Sequence, residues 1–145
     1  MINNDPQKKQ HTIQKKISIK GIGLHTGVKS TATFNPAEKN FGIRFKRLDL
    51  ENCPEIIADI DHVVDISRGT TIGQSDIQIH TVEHILSAVF GLQIDNILIE
   101  LTAKEPPVMD GSARPFVDVL LKAGIQEQNA TRDELIIDKT ITYND

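Results

Sequence analysis

Tryptophan is absent from the 145 residues, cysteine occurs once, and aromatic residues make up 4% of the chain. With so few rings there is no stacking platform of the kind that holds single-stranded nucleic acid. The single cysteine, Cys53, excludes an internal disulfide and a cysteine-cluster zinc site, so a metal would have to be held by histidine and carboxylates. It also fits a reducing compartment. No apolar run approaches the ~18–20 residues needed to span a membrane, and residues 1–10 lack the apolar stretch of a signal peptide. A cytoplasmic protein with no transmembrane segment is expected. A basic field is lacking too. Net charge is −4, and the one basic cluster, Lys8, Lys9, Lys15, Lys16 and Lys20, stands in a polar setting. It reads as a solvated strand face and leader, with no nucleic acid partner. Histidine, finally, is absent beyond position 84: all five (His11, His25, His62, His80, His84) lie at or before it.

What is present is ordinary for a globular domain, with 39% hydrophobic and 25% charged residues. One domain of usual size accounts for the length. Residues 13–20 alternate around Ile17 and Ile19, and Val28–Phe34 and Phe41–Phe45 repeat the same period of two, with Gly- and Pro-bearing loops between them. That pattern predicts an antiparallel meander, followed by shorter β-rich pieces around 56–60, 70–72 and 77–79 and a strand over Asn96–Leu101. Two helices are predicted. The first, about Thr81–Leu92, carries Val82, Ile85, Leu86 and Val89 as a buried stripe, with Gly91 near its end. The second, about Ala113–Ala123, has Ser112 as N-cap, Pro115 in its first turn, the stripe Phe116, Val119 and Leu120, and Gly124 just past the end.

The economical way to bury both stripes is an α+β, two-layer sandwich: a mostly antiparallel sheet with two helices packed on one face. Three segments are expected: a flexible leader (1–12), an α/β domain (13–125), and a polar linker followed by the first strand of a missing second domain (126–145), the strand being Leu135-Ile136-Ile137 with Ile141.

Chemistry concentrates at Thr81-Val82-Glu83-His84. At ~100° per residue, His84 falls nearly opposite the apolar stripe and Glu83 on its flank, so His84 is not a core histidine. In the first turn the helix macrodipole favours an anionic Glu83 and a neutral His84 able to donate a lone pair to a metal. An exposed Glu-His pair closing off a helix end fits the spacing equally well. His80-Thr-Val-Glu-His84 also matches the H-x-x-E-H pattern of inverted zinc proteases, although His80 lies at the helix boundary, where the i, i+4 relation need not hold. Gly21, Gly23 and Gly27 form G-x-G-x-x-x-G, one residue too long for a dinucleotide fingerprint and with no helix after it, so no nucleotide cofactor is expected.

Four segments together resemble the UDP-3-O-acyl-N-acetylglucosamine deacetylases of lipid A synthesis in Gram-negative bacteria. They are Gly21-Ile-Gly-Leu-His25-Thr-Gly27; Thr81-Val-Glu-His84 with Gly91-Leu92; Ile94-Asp-Asn-Ile97; and Pro107-Val-Met-Asp110-Gly-Ser112-Ala113 with Pro115-Phe116. They occur in family order and at family spacing. The resemblance implies a zinc-dependent enzyme of two similar α/β domains, with the active site between them. Zn2+ polarises the substrate amide and activates water, a glutamate takes the water's proton, and acetate leaves. It assigns the general base to Glu83 and one zinc ligand to His84. His25 and Thr71, the latter in Arg68-Gly69-Thr70-Thr71, are expected to line the cleft, the alternatives being a plain loop residue in a Gly-rich turn for His25 and a plain strand bend for 68–71. Asp110 and Ser112 are read as structural, opening the second helix. The other family ligands, a His and an Asp at i and i+4, and a further His, have no counterpart here, so this stretch alone is expected to be inactive. Partners implied are the UDP-linked acylated glucosamine and the missing C-terminal domain. Fusion to an acyl-carrier-protein dehydratase, known in the family, is neither supported nor opposed. The alternative is a non-catalytic binding or scaffolding domain of the same fold. A His-x-x-x-Asp helix encoded downstream of Asp145 would support the enzyme; an in-frame stop there would support the alternative.

Overall fold

A computed structural model describes residues 8–134 and 139–144. Among these, ten strands and two α-helices occur: β1 (Lys9–Ile13), β2 (Ile17–Ile22), β3 (Lys29–Pro36), β4 (Ile43–Arg47), β5 (Glu55–Ile57), β6 (Val63–Asp65), β7 (Thr71–Gln74), β8 (Ile77–Ile79), α1 (Glu83–Gly91), β9 (Ile97–Leu101), α2 (Arg114–Ala123) and β10 (Ile125–Thr131), with a 3-10 turn at Ile60–His62 before β6.

The central sheet has the order β2-β3-β9-β4-β5. Every pair is antiparallel except β4 with β9, whose intervening chain makes the crossover that carries α1. Alternation sorts its side chains. Phe34 stands opposite Ile99, and Phe45 opposite the same Ile99 from the other side; with Ala32, Ile97 and Leu101 they form a fully buried face. The other face carries Ser18, Thr33, Asn35 and Glu100, joined by a Ser18–Thr33 hydroxyl bond of 2.9 Å and an Asn35 amide donating to Glu100 at 3.0 Å. One face apolar and one polar is what a sheet covered on one side requires.

Both helices supply that cover. Val82, Ile85, Ala88 and Val89 of the α1 segment and Phe116, Leu120 and Ala123 of α2 join the core, and Phe116 meets Phe34 edge-on at 6.4 Å between ring centroids. Each such buried large side chain contributes roughly 1.5–3 kcal/mol. The expected α+β arrangement with two helices on one face is what the chain adopts. A second, three-stranded sheet, β6-β7-β8, stands beside the first.

Several boundaries differ from expectation. The 13–20 stretch is two strands: at Gln14 the chain bends, its N–H donating to Gly124 O at 2.9 Å, and β1 leaves the main sheet to pair with β10. Residues 9–12, read as leader, therefore belong to β1, and most of the polar 126–133 stretch, read as linker, is strand β10. The ribbon they form is tied down by polar side chains. Buried Asn96 donates to Gln10 Oε1 (2.9 Å) and Gln128 Oε1 (2.7 Å) and accepts from Gly42 N (2.9 Å). At α2 the N-cap is Ala113, with no side-chain cap bond; Ser112 acts one residue earlier, its hydroxyl accepting from Arg114 N at 3.1 Å while Asp110 accepts from Ser112 N at 2.9 Å. The strand expected at Leu135–Ile137 lies outside the described residues.

Candidate active site

A cleft of about 700 Å³ opens between the Gly-rich loop after β2, the β6–β7 connection and the residues following β8 and β9. His25, Arg47, Gly69, Thr71, His80 and Lys104 are among its walls. The loop is closed by Gly23 N donating to Val28 O at 2.9 Å and Gly27 N to Gly23 O at 3.1 Å. His25 projects from it, its Nε2 lying 3.1 Å from Arg68 O on the opposite wall. Thr71 Oγ1 is 3.0 Å from His80 Nδ1. Burial, then the nearby Lys104 charge, push the His80 imidazole below its ordinary pKa, while the Glu105 carboxylate pulls the other way.

His80 does not sit on α1. Its N–H donates to Lys104 O at 2.9 Å, Thr81 turns the chain with φ +57, and α1 begins at Glu83. The i, i+4 face that an H-x-x-E-H site needs is therefore not formed.

Glu83 opens α1, where its charge meets the positive end of the helix. Its Oε2 accepts from Thr70 N at 2.9 Å. Its Oε1 lies against Gly69 of the cleft wall: a Cβ placed on Gly69 would lie 2.8 Å from it. Only glycine fits there, since Gly69 also has φ +134. His84, next in the turn, is half-buried, faces away from Ile85, Ala88 and Val89, and its ring forms no hydrogen bond among the described residues. The hydroxyl and N–H of Ser112 hold the Asp110 carboxyl below its usual range, with a smaller effect from His84.

The description of the family whose model matches residues 10–145 is LpxC, UDP-3-O-acyl N-acetylglycosamine deacetylase. The chain belongs to this family. It is 56% identical over 135 residues to the bifunctional enzyme LpxC/FabZ of Chlorobaculum tepidum, covering 93% of this chain and 29% of that protein. It is 44% identical to the UDP-3-O-acyl-N-acetylglucosamine deacetylase of Teredinibacter turnerae and 47% identical to that of Saccharophagus degradans, each over 137 residues covering 94% of this chain and 45% of the relative. The chain thus spans less than half the length of these LpxC relatives.

Of the residues singled out from the sequence, the fold brings His25 and Thr71 to one cleft and sets Glu83 at its Gly69 edge; His84 adjoins Glu83 but is not part of the cleft wall. Three LpxC-like segments meet here: Gly21 packs on Pro107 and Met109, Val108 N donates to Ile22 O at 2.9 Å, and Thr81 precedes α1. The fourth, Ile94–Ile97, lies elsewhere and anchors the β1–β10 ribbon. For zinc, the donor set is partial. His84 offers ring nitrogens that form no hydrogen bond among the described residues, but no group of three or more His, Cys, Asp or Glu that could hold a metal occurs among those residues.

Sequence reasoning missed Glu105. It is fully buried, and its carboxylate accepts from His25 N (3.2 and 3.1 Å to the two oxygens), Thr26 N (2.9 Å) and the Thr81 hydroxyl (2.8 Å). Burial works against its ionised form, yet these hydrogen bonds outweigh it and hold the carboxyl below its ordinary pKa. A glutamate directly before Pro106-Pro107 in a segment otherwise suited to the interior was the available signal.

Proposed function

We propose that this chain is the first domain of a zinc-dependent amidohydrolase that removes the N-acetyl group from UDP-3-O-acyl-N-acetylglucosamine in cytoplasmic lipid A biosynthesis. The observation that carries this reading is the consecutive carboxylate and imidazole of Glu83 and His84 in the opening turn of α1, at the edge of the cleft, in a chain that belongs to the LpxC family. Zinc, when bound, supplies a polarised amide carbonyl and an acidified water. His84 is its ligand from this chain, with the remaining ligands supplied from outside these residues. Glu83 is the base. Thr70 N–H holds Oε2 in place, leaving Oε1, which accepts no hydrogen bond among the described residues, to take a proton from water. Consecutive helical residues point ~100° apart, so Glu83 serves the water while His84 serves the metal. His25 and Thr71 line the space in which the sugar nucleotide is held.

The test is made on the longer protein. Glu83→Ala should keep its zinc and lose most turnover, whereas His84→Ala should lose metal and turnover together. Equal metal loss in both variants would refute this division of roles.

A further inference from the structure

We propose that Glu105 is a positioning residue: a buried carboxylate that holds the His25 loop and the Thr81 turn in one geometry, thereby setting where Glu83 and His84 stand relative to the cleft. This rests on the deacetylase reading for its consequence, though not for its geometry.

Glu105 follows β9 and precedes Pro106, so its backbone is constrained from both sides. Among the described residues, no hydrogen-bond partner of its side chain is a cation. All are neutral donors from two otherwise separate segments: the His25 and Thr26 N–H groups on the Gly-rich loop and the Thr81 hydroxyl at the entry to α1. A buried charge of this kind persists only when several donors converge on it. The site is also sterically closed. A Cβ on Gly23 would lie 2.4 Å from Thr26 Oγ1 and 2.6 Å from Glu105 Oε2, so the loop can wrap the carboxylate only with glycine there.

Thr81 is the second half of the device. It is buried, β-branched, and in the left-handed region at φ +57, a conformation that such residues adopt only when their surroundings impose it. Its hydroxyl bond to Glu105 Oε1 is the imposing contact, and two residues later comes Glu83. The loop side of the same carboxylate carries His25, whose ring reaches Arg68 O next to Gly69. One acceptor thus sets both flanks of the cleft. An amide cannot replace it, because its NH2 would face a donor.

Three variants of the longer protein test this: Glu105→Gln, Thr81→Val, which removes the hydroxyl at nearly constant shape, and Thr81→Ser, which keeps it. Thr81→Val and Glu105→Gln should lower kcat about 10–100-fold, the usual range for groups that orient a reacting residue, with KM within about twofold. Thr81→Ser should recover most of the lost kcat. In the 145-residue chain, the His25 and Thr26 amides should exchange with solvent at least ~10-fold faster in Glu105→Gln, with Ile99 unchanged. If Glu105→Gln does not fold, Thr81→Val against Thr81→Ser decides. Wild-type kcat in Thr81→Val overturns the proposal, as do unchanged His25 and Thr26 exchange rates in Glu105→Gln. A wild-type protein that does not deacetylate the sugar nucleotide removes the function reading instead, and the exchange rates then decide the positioning claim by themselves.

Discussion

Gly69 and His80 show how single residues tune this cleft. Gly69 has no room for a side chain because the Glu83 carboxylate stands 2.8 Å from where its Cβ would be, and its φ of +134 belongs to glycine. Gly69→Ala in the longer protein should push Glu83 off Thr70 N and lower kcat while costing stability about 1–3 kcal/mol; unchanged kcat together with an unchanged urea midpoint would contradict this. His80 makes a prediction about pH. Its folded pKa is depressed, so as pH falls through about 6.5 the unfolded chain takes up this proton before the folded one does. The contribution to stability is therefore present above that pH and lost below it. Urea unfolding at pH 7, 6 and 5 should show the wild type losing stability relative to His80→Gln as pH drops; curves that stay parallel would rule this out. The Glu105 carboxyl, also depressed, loses its contribution only at more acid pH, below its ordinary value, so the two effects separate.

At the scale of elements, hydrophobic spacing revealed what is apolar and missed what is polar. The stripe Val82, Ile85 and Val89 and the alternation of β3, β4 and β9 were legible because burial of one face imposes a period. The β1–β10 ribbon was not, because Gln10, Asn96 and Gln128 hold it by hydrogen bonds, and polar stretches without an apolar period read as leader around Gln10 and as linker around Gln128. The same reason hid Glu105, whose burial depends on donors brought from 24 and 80 residues away in sequence. That Glu83 and His84 open α1 away from its buried stripe was legible because adjacent residues on a helix have a fixed angular relation, and Gly124 was legible because a helix end calls for glycine, here at φ +78. Asn96→Ala tests the ribbon. It strands the Gly42 N–H and the Gln128 oxygen and removes one of the two donors to Gln10 Oε1, which keeps Asn40 N; with an unsatisfied buried group costing about 1–3 kcal/mol, a loss of at least that size is expected in denaturant unfolding, with exchange rising first along β10. A loss below ~0.5 kcal/mol would show that water satisfies these groups.

For the molecule as a whole, the distribution of donors decides what it can do with metal. His84 stands at the opening of α1, His25 and His80 line the cleft with their ring nitrogens engaged by Arg68 O and Thr71 Oγ1, and His62 is paired with Asp59. None of these is gathered with two further ligands among the described residues. A complete structural zinc site contributes about 10–16 kcal/mol of binding free energy from four ligands acting together; one imidazole supplies a small part of that and none of the chelation. Equilibrium dialysis of the 145-residue chain against low micromolar zinc should therefore leave it largely unloaded, while the longer protein takes up one equivalent that His84→Ala removes. One-to-one uptake by the 145-residue chain would mean that it completes a metal site by itself, and the assignment of His84 as a lone contributor would have to be given up.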